Sequence, residues 1–262
     1  MSPRLSNPCA GCRDGVGFAF DFSMAFQPIV DLETGAPFAY EALVRGTGGE
    51  PAGTILGRVT EENRYAFDQA CRVKAIETAV QVGILDTGAR LSINFLPNAV
   101  YSPKACIQLT VRTAAAVGFP TDRLIFEFTE NEQMAEPEHV AEIVRTYRAM
   151  GLGTALDDFG AGHAGLALLA RFQPDIIKLD MELVRGIDAS LPRRVIVGGV
   201  ARMCRQLGIT LIAEGIETAE ELAALRDLGI RYVQGYLIAR PMFEGLPEIA
   251  PVADPQWLRA TG

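Results

Sequence analysis

This 262-residue sequence has few histidines and few long apolar runs. Each of these scarcities argues against a class of site or partner. The two histidines, His139 and His163, fall outside the predicted strands, so imidazole ligands are not expected at strand ends. The longest apolar stretch is interrupted by Arg202 and Arg205, and it falls short of the ~18 to 20 residues that a membrane-spanning helix needs. We therefore predict no membrane partner.

Positive charge is in the minority, since 24 lysines and arginines face 32 aspartates and glutamates and leave a formal net charge of -8. No run of basic residues stands out, and we predict no DNA partner. The arginines between residues 193 and 205 fit a solvated helix face better than a nucleic-acid surface. An acidic protein can still bind an anionic substrate if metal ions reverse the local field.

Cysteine is too sparse for a disulfide framework. The five cysteines are Cys9, Cys12, Cys71, Cys106 and Cys204. An odd count in a chain of this size, without an apolar leader segment, favours a reducing cytoplasm. The spacing of Cys9 and Cys12 invites a zinc or redox interpretation, but no second ligand pair follows, and an incidental pair is the favoured interpretation.

Short apolar strands alternate with amphipathic helices, after an opening pair of strands too close together for a helix between them. The predicted strands are 24–31, 38–44, 91–96, 124–130, 153–158, 175–180, 210–217 and 231–236. The predicted helices are 61–82, 103–117, 135–150, a short one after Gly162, 189–207 and 218–228. This order favours a closed α/β barrel with an irregular first hairpin. We expect an extension over residues 1–20, the barrel over 21–250 and a tail over 251–262.

Polar residues recur inside or at the end of these apolar strands. They are Glu41, Asn94, Glu127, Glu130, Asp157, Asp158, Lys178, Glu214, Glu217 and Gln234. Each one alone fits a solvated strand end, a turn or an ion pair, but in a parallel barrel they would converge on one face. So many carboxylates together require cations, and oxygen ligands suit Mg²⁺ or Mn²⁺, with Ca²⁺ as a candidate inhibitor. Two such ions would suit phosphodiester hydrolysis.

The sequence resembles the EAL-domain family of cyclic di-GMP phosphodiesterases over about residues 24–245. The motifs that carry this resemblance are "FQPIVDLETG", "EALVR", "SINFL", "FEFTE", "DDFGAG", "IIKLD", "AEGIE" and "VQGYLIARPM", in that order. The resemblance implies a modified (β/α)₈ TIM-like barrel whose first strand is antiparallel. It also implies hydrolysis of cyclic di-GMP to linear pGpG with Mg²⁺ or Mn²⁺, two ions in all, and a homodimer.

The resemblance also assigns roles to individual residues. The implied metal ligands are Glu41, Asn94, Glu127, Asp157 and Asp158. The implied catalytic residues are Lys178, which would activate water; Glu214, the acid near the second metal; Gln234, in the water network; and Glu130, the anchor of the 157–162 loop. The implied substrate contacts are Gln27, Glu41, Leu43, Arg45, Asp180 and Glu217, the last also supporting Glu214.

The sequence departs from the family pattern around the substrate. Gly46 stands where a tryptophan is common, and "GTGGEPAGT" replaces a histidine-proline stretch. Ala161 and His163-Ala164 replace threonine and tyrosine-serine in the loop, and His163 is interpreted as a loop residue rather than a new ligand or base.

Three alternative functions remain: a receptor that binds the nucleotide without cleaving it, a protein-interaction module, and another metal-dependent barrel phosphatase.

Overall fold

The structure, a computed structural model, describes residues 18–100, 102–129, 137–162 and 165–251. Strands within these ranges form a single sheet that closes on itself. The strands are β1 (Ser23–Asp31), β2 (Pro37–Arg45), β3 (Arg90–Asn94), β4 (Leu124–Thr129), β5 (Gly153–Phe159), β6 (Ile176–Leu179), β7 (Thr210–Ala213), β8 (Tyr232–Val233) and β9 (Met242–Phe243).

The barrel closes through its first strand. Strands β2 to β8 run parallel, each paired with the next, and β1 lies antiparallel between β8 and β2. This arrangement confirms the predicted modified barrel and its antiparallel first strand. The short strand β9, which the sequence did not predict, pairs with Ala25 and Phe26 of β1.

Helices cover the outside of the barrel. They are α1 (Ala52–Leu56), α2 (Arg64–Gln81), α3 (Ile84–Thr87), α4 (Pro103–Cys106), α5 (Gln108–Val117), α6 (Pro137–Ala149), α7 (Gly165–Arg171), α8 (Met181–Val184), α9 (Leu191–Leu207) and α10 (Ala219–Asp227). The helix predicted over 103–117 is two helices that meet at Ile107. None of the described helices is both long and apolar enough to cross a membrane.

The barrel interior is built in layers, because alternate residues of a strand face the same side. One buried layer is wholly apolar: Ile29, Ala39, Ile125, Ala155, Ile176 and Ile212. Five of its members stand two positions before an expected polar site residue: Glu41, Glu127, Asp157, Lys178 and Glu214. The polar side chains therefore form the next layer, toward the carboxyl ends of the parallel strands.

Several strands end earlier than predicted, and the difference is largest for β7 and β8, which are followed by a loop and a turn. β7 ends at Ala213, and β8 covers only Tyr232–Val233. The loop after β7 meets the turn after β8 through a hydrogen bond from Ile216 N to Gln234 O of 3.2 Å. Gly235 permits this approach, because a Cβ there would lie 2.1 Å from Ile216 O. The turn brings Gln234 and the 214–217 loop together.

The first described residues pack on the outside of the barrel. Phe18, Phe20 and Phe22 surround the ring of Phe67 on α2, with ring centroids 5.2 to 5.8 Å from it. Aromatic contacts of this kind bury a large apolar area. The expected extension therefore contacts the barrel domain where it is described.

Candidate functional site

A buried lysine stands at the centre of the polar layer. Lys178, in β6, is 1% exposed, and its ammonium nitrogen contacts four carboxylates from different parts of the barrel. The distances are 3.2 Å to Glu41 Oε2, 3.0 Å to Glu127 Oε2, 3.2 Å to Asp157 Oδ1 and 2.7 Å to Glu214 Oε1. The structure thus brings together five of the residues singled out in the sequence.

Amide and hydroxyl groups fix the orientation of these carboxylates. Asn94 Nδ2 donates to Glu41 Oε1 at 3.3 Å, and Gln234 Nε2 donates to Glu41 Oε2 at 2.9 Å. The hydroxyl of Ser92, which is fully buried, donates to Glu127 Oε1. The sequence analysis missed Ser92, although it stands two residues before Asn94 and therefore on the same face of β3.

The cluster carries more negative than positive charge. Four carboxylates face one ammonium, so three formal negative charges are in excess. Burial raises the pKa of Glu127 to about 8 and raises that of Glu214 well above its ordinary value, although Lys178 opposes both shifts. Burial lowers the pKa of Lys178, but the surrounding carboxylates outweigh it and hold that pKa well above its ordinary value. Bound cations would neutralise the remaining negative charge.

A bulge in β5 brings the neighbouring residues Asp157 and Asp158 to the same site. The pairing with β6 passes from Leu156 opposite Ile177 to Phe159 opposite Leu179, so β5 has one extra residue there. Asp158 has a φ of 54°, in the left-handed region, and its N–H donates to Asp157 Oδ1 at 3.0 Å. Burial raises the pKa of Asp158 to about 6, and the charge of Asp157 adds to the shift.

The carboxylates form two overlapping groups that fit divalent cations. Glu41, Glu127 and Asp157 make one group, and Asp157, Asp158 and Glu214 make the other. Within each group the ligand atoms lie within 4.8 Å of one another. The donors are all oxygen, which suits hard cations such as Mg²⁺ and Mn²⁺. Asp157 is common to both groups.

Two cavities adjoin the acid cluster. One, of about 450 Å³, has mostly apolar walls that include Leu43, and its polar lining includes Asn94, Asp157 and Asp158. The other, of about 190 Å³, is lined by polar residues that include Gln27, Glu41, Glu214, Glu217 and Gln234. Predicted substrate contacts therefore line both cavities.

Three predicted substrate contacts have other partners in this structure. Arg45 Nη1 donates to its neighbour's carbonyl oxygen, Val44 O, at 2.7 Å. Asp180 Oδ1 accepts from Glu182 N at 2.7 Å and caps α8. Glu217 pairs with Arg185, a residue that the sequence analysis missed. Glu130, His163, Cys9 and Cys12 lie outside the described residues.

Comparison with solved structures gives close matches to the whole barrel. A standalone versatile EAL protein from Vibrio cholerae O395, in a c-di-GMP-bound form, is 47% identical with a TM-score of 0.86, over 90% of this chain and 98% of that one. BlrP1 from Klebsiella pneumoniae, in a complex with manganese and cyclic di-GMP at pH 9.0, is 37% identical with a TM-score of 0.82. That match covers 87% of this chain and 58% of BlrP1.

Curated relatives match over similar lengths of this chain. The cyclic di-GMP phosphodiesterase RocR of Pseudomonas aeruginosa is 38% identical over 92% of this chain and 62% of its own length. The blue light- and temperature-regulated antirepressor BluF of Escherichia coli is 34% identical over 86% of this chain and 56% of its own length. The chain thus spans less than two thirds of either relative. The EAL domain model matches residues 19–241, and the chain belongs to the EAL domain family.

Proposed function

We propose that the chain is a phosphodiesterase that hydrolyses cyclic di-GMP to linear pGpG with two divalent cations, Mg²⁺ or Mn²⁺. The observation that carries this proposal is the pair of overlapping carboxylate groups that share Asp157 beside a buried lysine. Asn94 would add an amide ligand, because its Nδ2 bonds Glu41 and its Oδ1 is the remaining ligand atom. RocR and the manganese complex of BlrP1 support the substrate and the metal.

Bound divalent ions in such a site polarise a phosphoryl oxygen and lower the pKa of water. The residues of the chain supply the remaining functions. Lys178 lies at the centre of the cluster, and once cations replace it at some of the carboxylates, its ammonium would donate a hydrogen bond to water or to a phosphate oxygen. Gln234 Oε1 is buried and has no hydrogen-bond partner among the described residues, so it offers an acceptor for a water proton. Glu130 would anchor the loop after β5.

The two cavities support the proposed substrate contacts, because some of these residues line them. Leu43 would pack on one half of the dinucleotide in the 450 Å³ cavity, and Gln27 and Glu217 would contact the other half beside Glu214. Arg45 and Asp180 would complete the set, the first through charge attraction to a phosphate. Ca²⁺ would inhibit, because it takes a larger and looser ligand shell than Mg²⁺.

Cysteine chemistry supports a cytoplasmic location, which we also propose. Cys71 and Cys204 are free thiols in the structure. Burial raises the pKa of Cys204 to about 11, so that thiol is protonated and unreactive near neutral pH. Buried free thiols of this kind are usual in a reducing compartment.

Product analysis tests the proposed reaction. Purified protein incubated with cyclic di-GMP and Mn²⁺ or Mg²⁺ should release pGpG on an ion-pair chromatogram, and EDTA should abolish the product because the carboxylates then hold no cations. Binding of cyclic di-GMP without product would instead support the receptor. Neither binding nor product would support an interaction module, the function suggested by the antirepressor among the relatives.

The central lysine gives a second prediction. Lys178→Met should reduce hydrolysis at least ~100-fold. It should also lower the free energy of unfolding in EDTA by about 3–5 kcal/mol, since four carboxylates, three of them buried, lose their cation. Urea titrations and turnover assays measure the two effects. The control is Lys104→Met, the same change at an exposed lysine. Hydrolysis within two-fold of wild type in Lys178→Met would contradict the assigned role.

The homodimer that the resemblance implies has a candidate surface on α9. Leu191 and Val195, one helical turn apart on the same face, are 73% and 61% exposed, and the adjacent Ile196 is 50% exposed. Sedimentation equilibrium should show a dimer, and Val195→Glu should weaken it at least ~10-fold by placing a charge in an apolar contact. Leu109→Glu, at an exposed leucine of α5, is the control. A wild-type monomer at 50-fold the working concentration would contradict the proposal.

A further inference from the structure

A buried ion pair on α2 lies outside the polar layer of the barrel. Asp68 is 4% exposed and Arg72 is fully buried, and Asp68 Oδ2 accepts a hydrogen bond from Arg72 Nη2 one helical turn away. Replacing such a pair with apolar residues of similar volume is often neutral or stabilising, so a need for stability alone does not explain it. The contacts of the second carboxylate oxygen suggest another role.

The other carboxylate oxygen of Asp68, Oδ1, contacts the backbone just after β3. Asp68 Oδ1 accepts a hydrogen bond from Leu96 N at 3.0 Å, and Leu96 follows the last residue of β3, Asn94, by two positions. The residue between them is also held, because Phe95 N donates to Glu127 O at 2.9 Å. Both backbone amides that follow Asn94 are therefore fixed, one to a neighbouring strand and one to α2.

Asn94 needs this support because β3 ends with it. The ladder between β3 and β4 closes with Asn94 opposite Glu127, so no later strand pairing orients the chain. The side chain of Asn94 makes one bond to the cluster, of 3.3 Å, to Glu41. Arg72 neutralises the Asp68 carboxylate and leaves its Oδ1 available to the Leu96 amide.

We propose that Asp68 is a positioning residue for the metal site: its carboxylate fixes the Leu96 amide and thereby holds the Asn94 amide against the carboxylate cluster. This inference rests on the proposed function for the identity of the ions, but the contact acts on metal affinity whether or not hydrolysis follows. Groups that orient metal ligands from behind typically contribute ~10- to 100-fold in affinity.

Two double variants that differ in one acceptor test the proposal. D68N/R72M keeps an oxygen for the Leu96 amide, whereas D68L/R72M removes it, and both remove the buried charges. Calorimetric titration with Mn²⁺ should give D68N/R72M an affinity within two-fold of wild type and D68L/R72M an affinity ~10-fold lower. Urea unfolding should give the two variants similar stability. D31L is the control, because Asp31 is also a buried carboxylate that accepts a backbone N–H and pairs with an arginine, at the other end of the barrel.

Equal Mn²⁺ affinities in the two folded double variants would overturn the proposal. If D68L/R72M does not fold, hydrogen exchange on the wild-type protein decides: strong protection of the Leu96 amide supports the anchor, and exchange at the rate of an unstructured amide overturns it. The metal titration is read without substrate. A wild-type protein that binds Mn²⁺ but yields no pGpG would therefore disprove the proposed reaction. The Mn²⁺ affinities of the two double variants would still decide the role of Asp68.

Discussion

The ammonium of Lys178, enclosed by four carboxylates, is the interaction on which the rest of the site depends. It contacts acids from β2, β4, β5 and the loop after β7, so it joins distant segments of the barrel at one point. One cation cannot neutralise four acids, and burial, with the neighbouring carboxylates adding to it, raises the pKa values of Glu127 and Glu214. The same excess of negative charge that opposes folding would favour the binding of divalent ions.

Local features of the barrel fix the positions of these acids. An apolar layer below the cluster keeps the acids at the carboxyl ends of the strands, and the bulge in β5 turns adjacent aspartates toward one site. The left-handed backbone of Asp158 is a second irregularity at the same point. Deviations from regular geometry cluster where function needs side chains in places that a regular strand does not supply.

The eight barrel strands and the positions of the acids could be predicted from sequence, because period-two apolar segments and interrupting polar residues are local signals. The contacts of Lys178 could not be predicted from the sequence, since they join residues up to 137 positions apart. Ser92, Arg185 and Asp68 were missed for a related reason: a serine in a strand, an arginine in a loop and an aspartate on a helix each have an ordinary explanation until their partners are known. The true ends of β7 and β8 depend on the contact between Gly235 and Ile216, which no local pattern shows.

A pair of divalent ions that share Asp157 is the central feature of the proposed site. Electron paramagnetic resonance of the protein titrated with Mn²⁺ tests it most directly. We predict that each chain binds two ions whose spectrum is that of a magnetically coupled pair, and that Asp157→Asn converts it to the spectrum of isolated ions. A single Mn²⁺ per chain, or two ions without coupling in the wild-type protein, would contradict it.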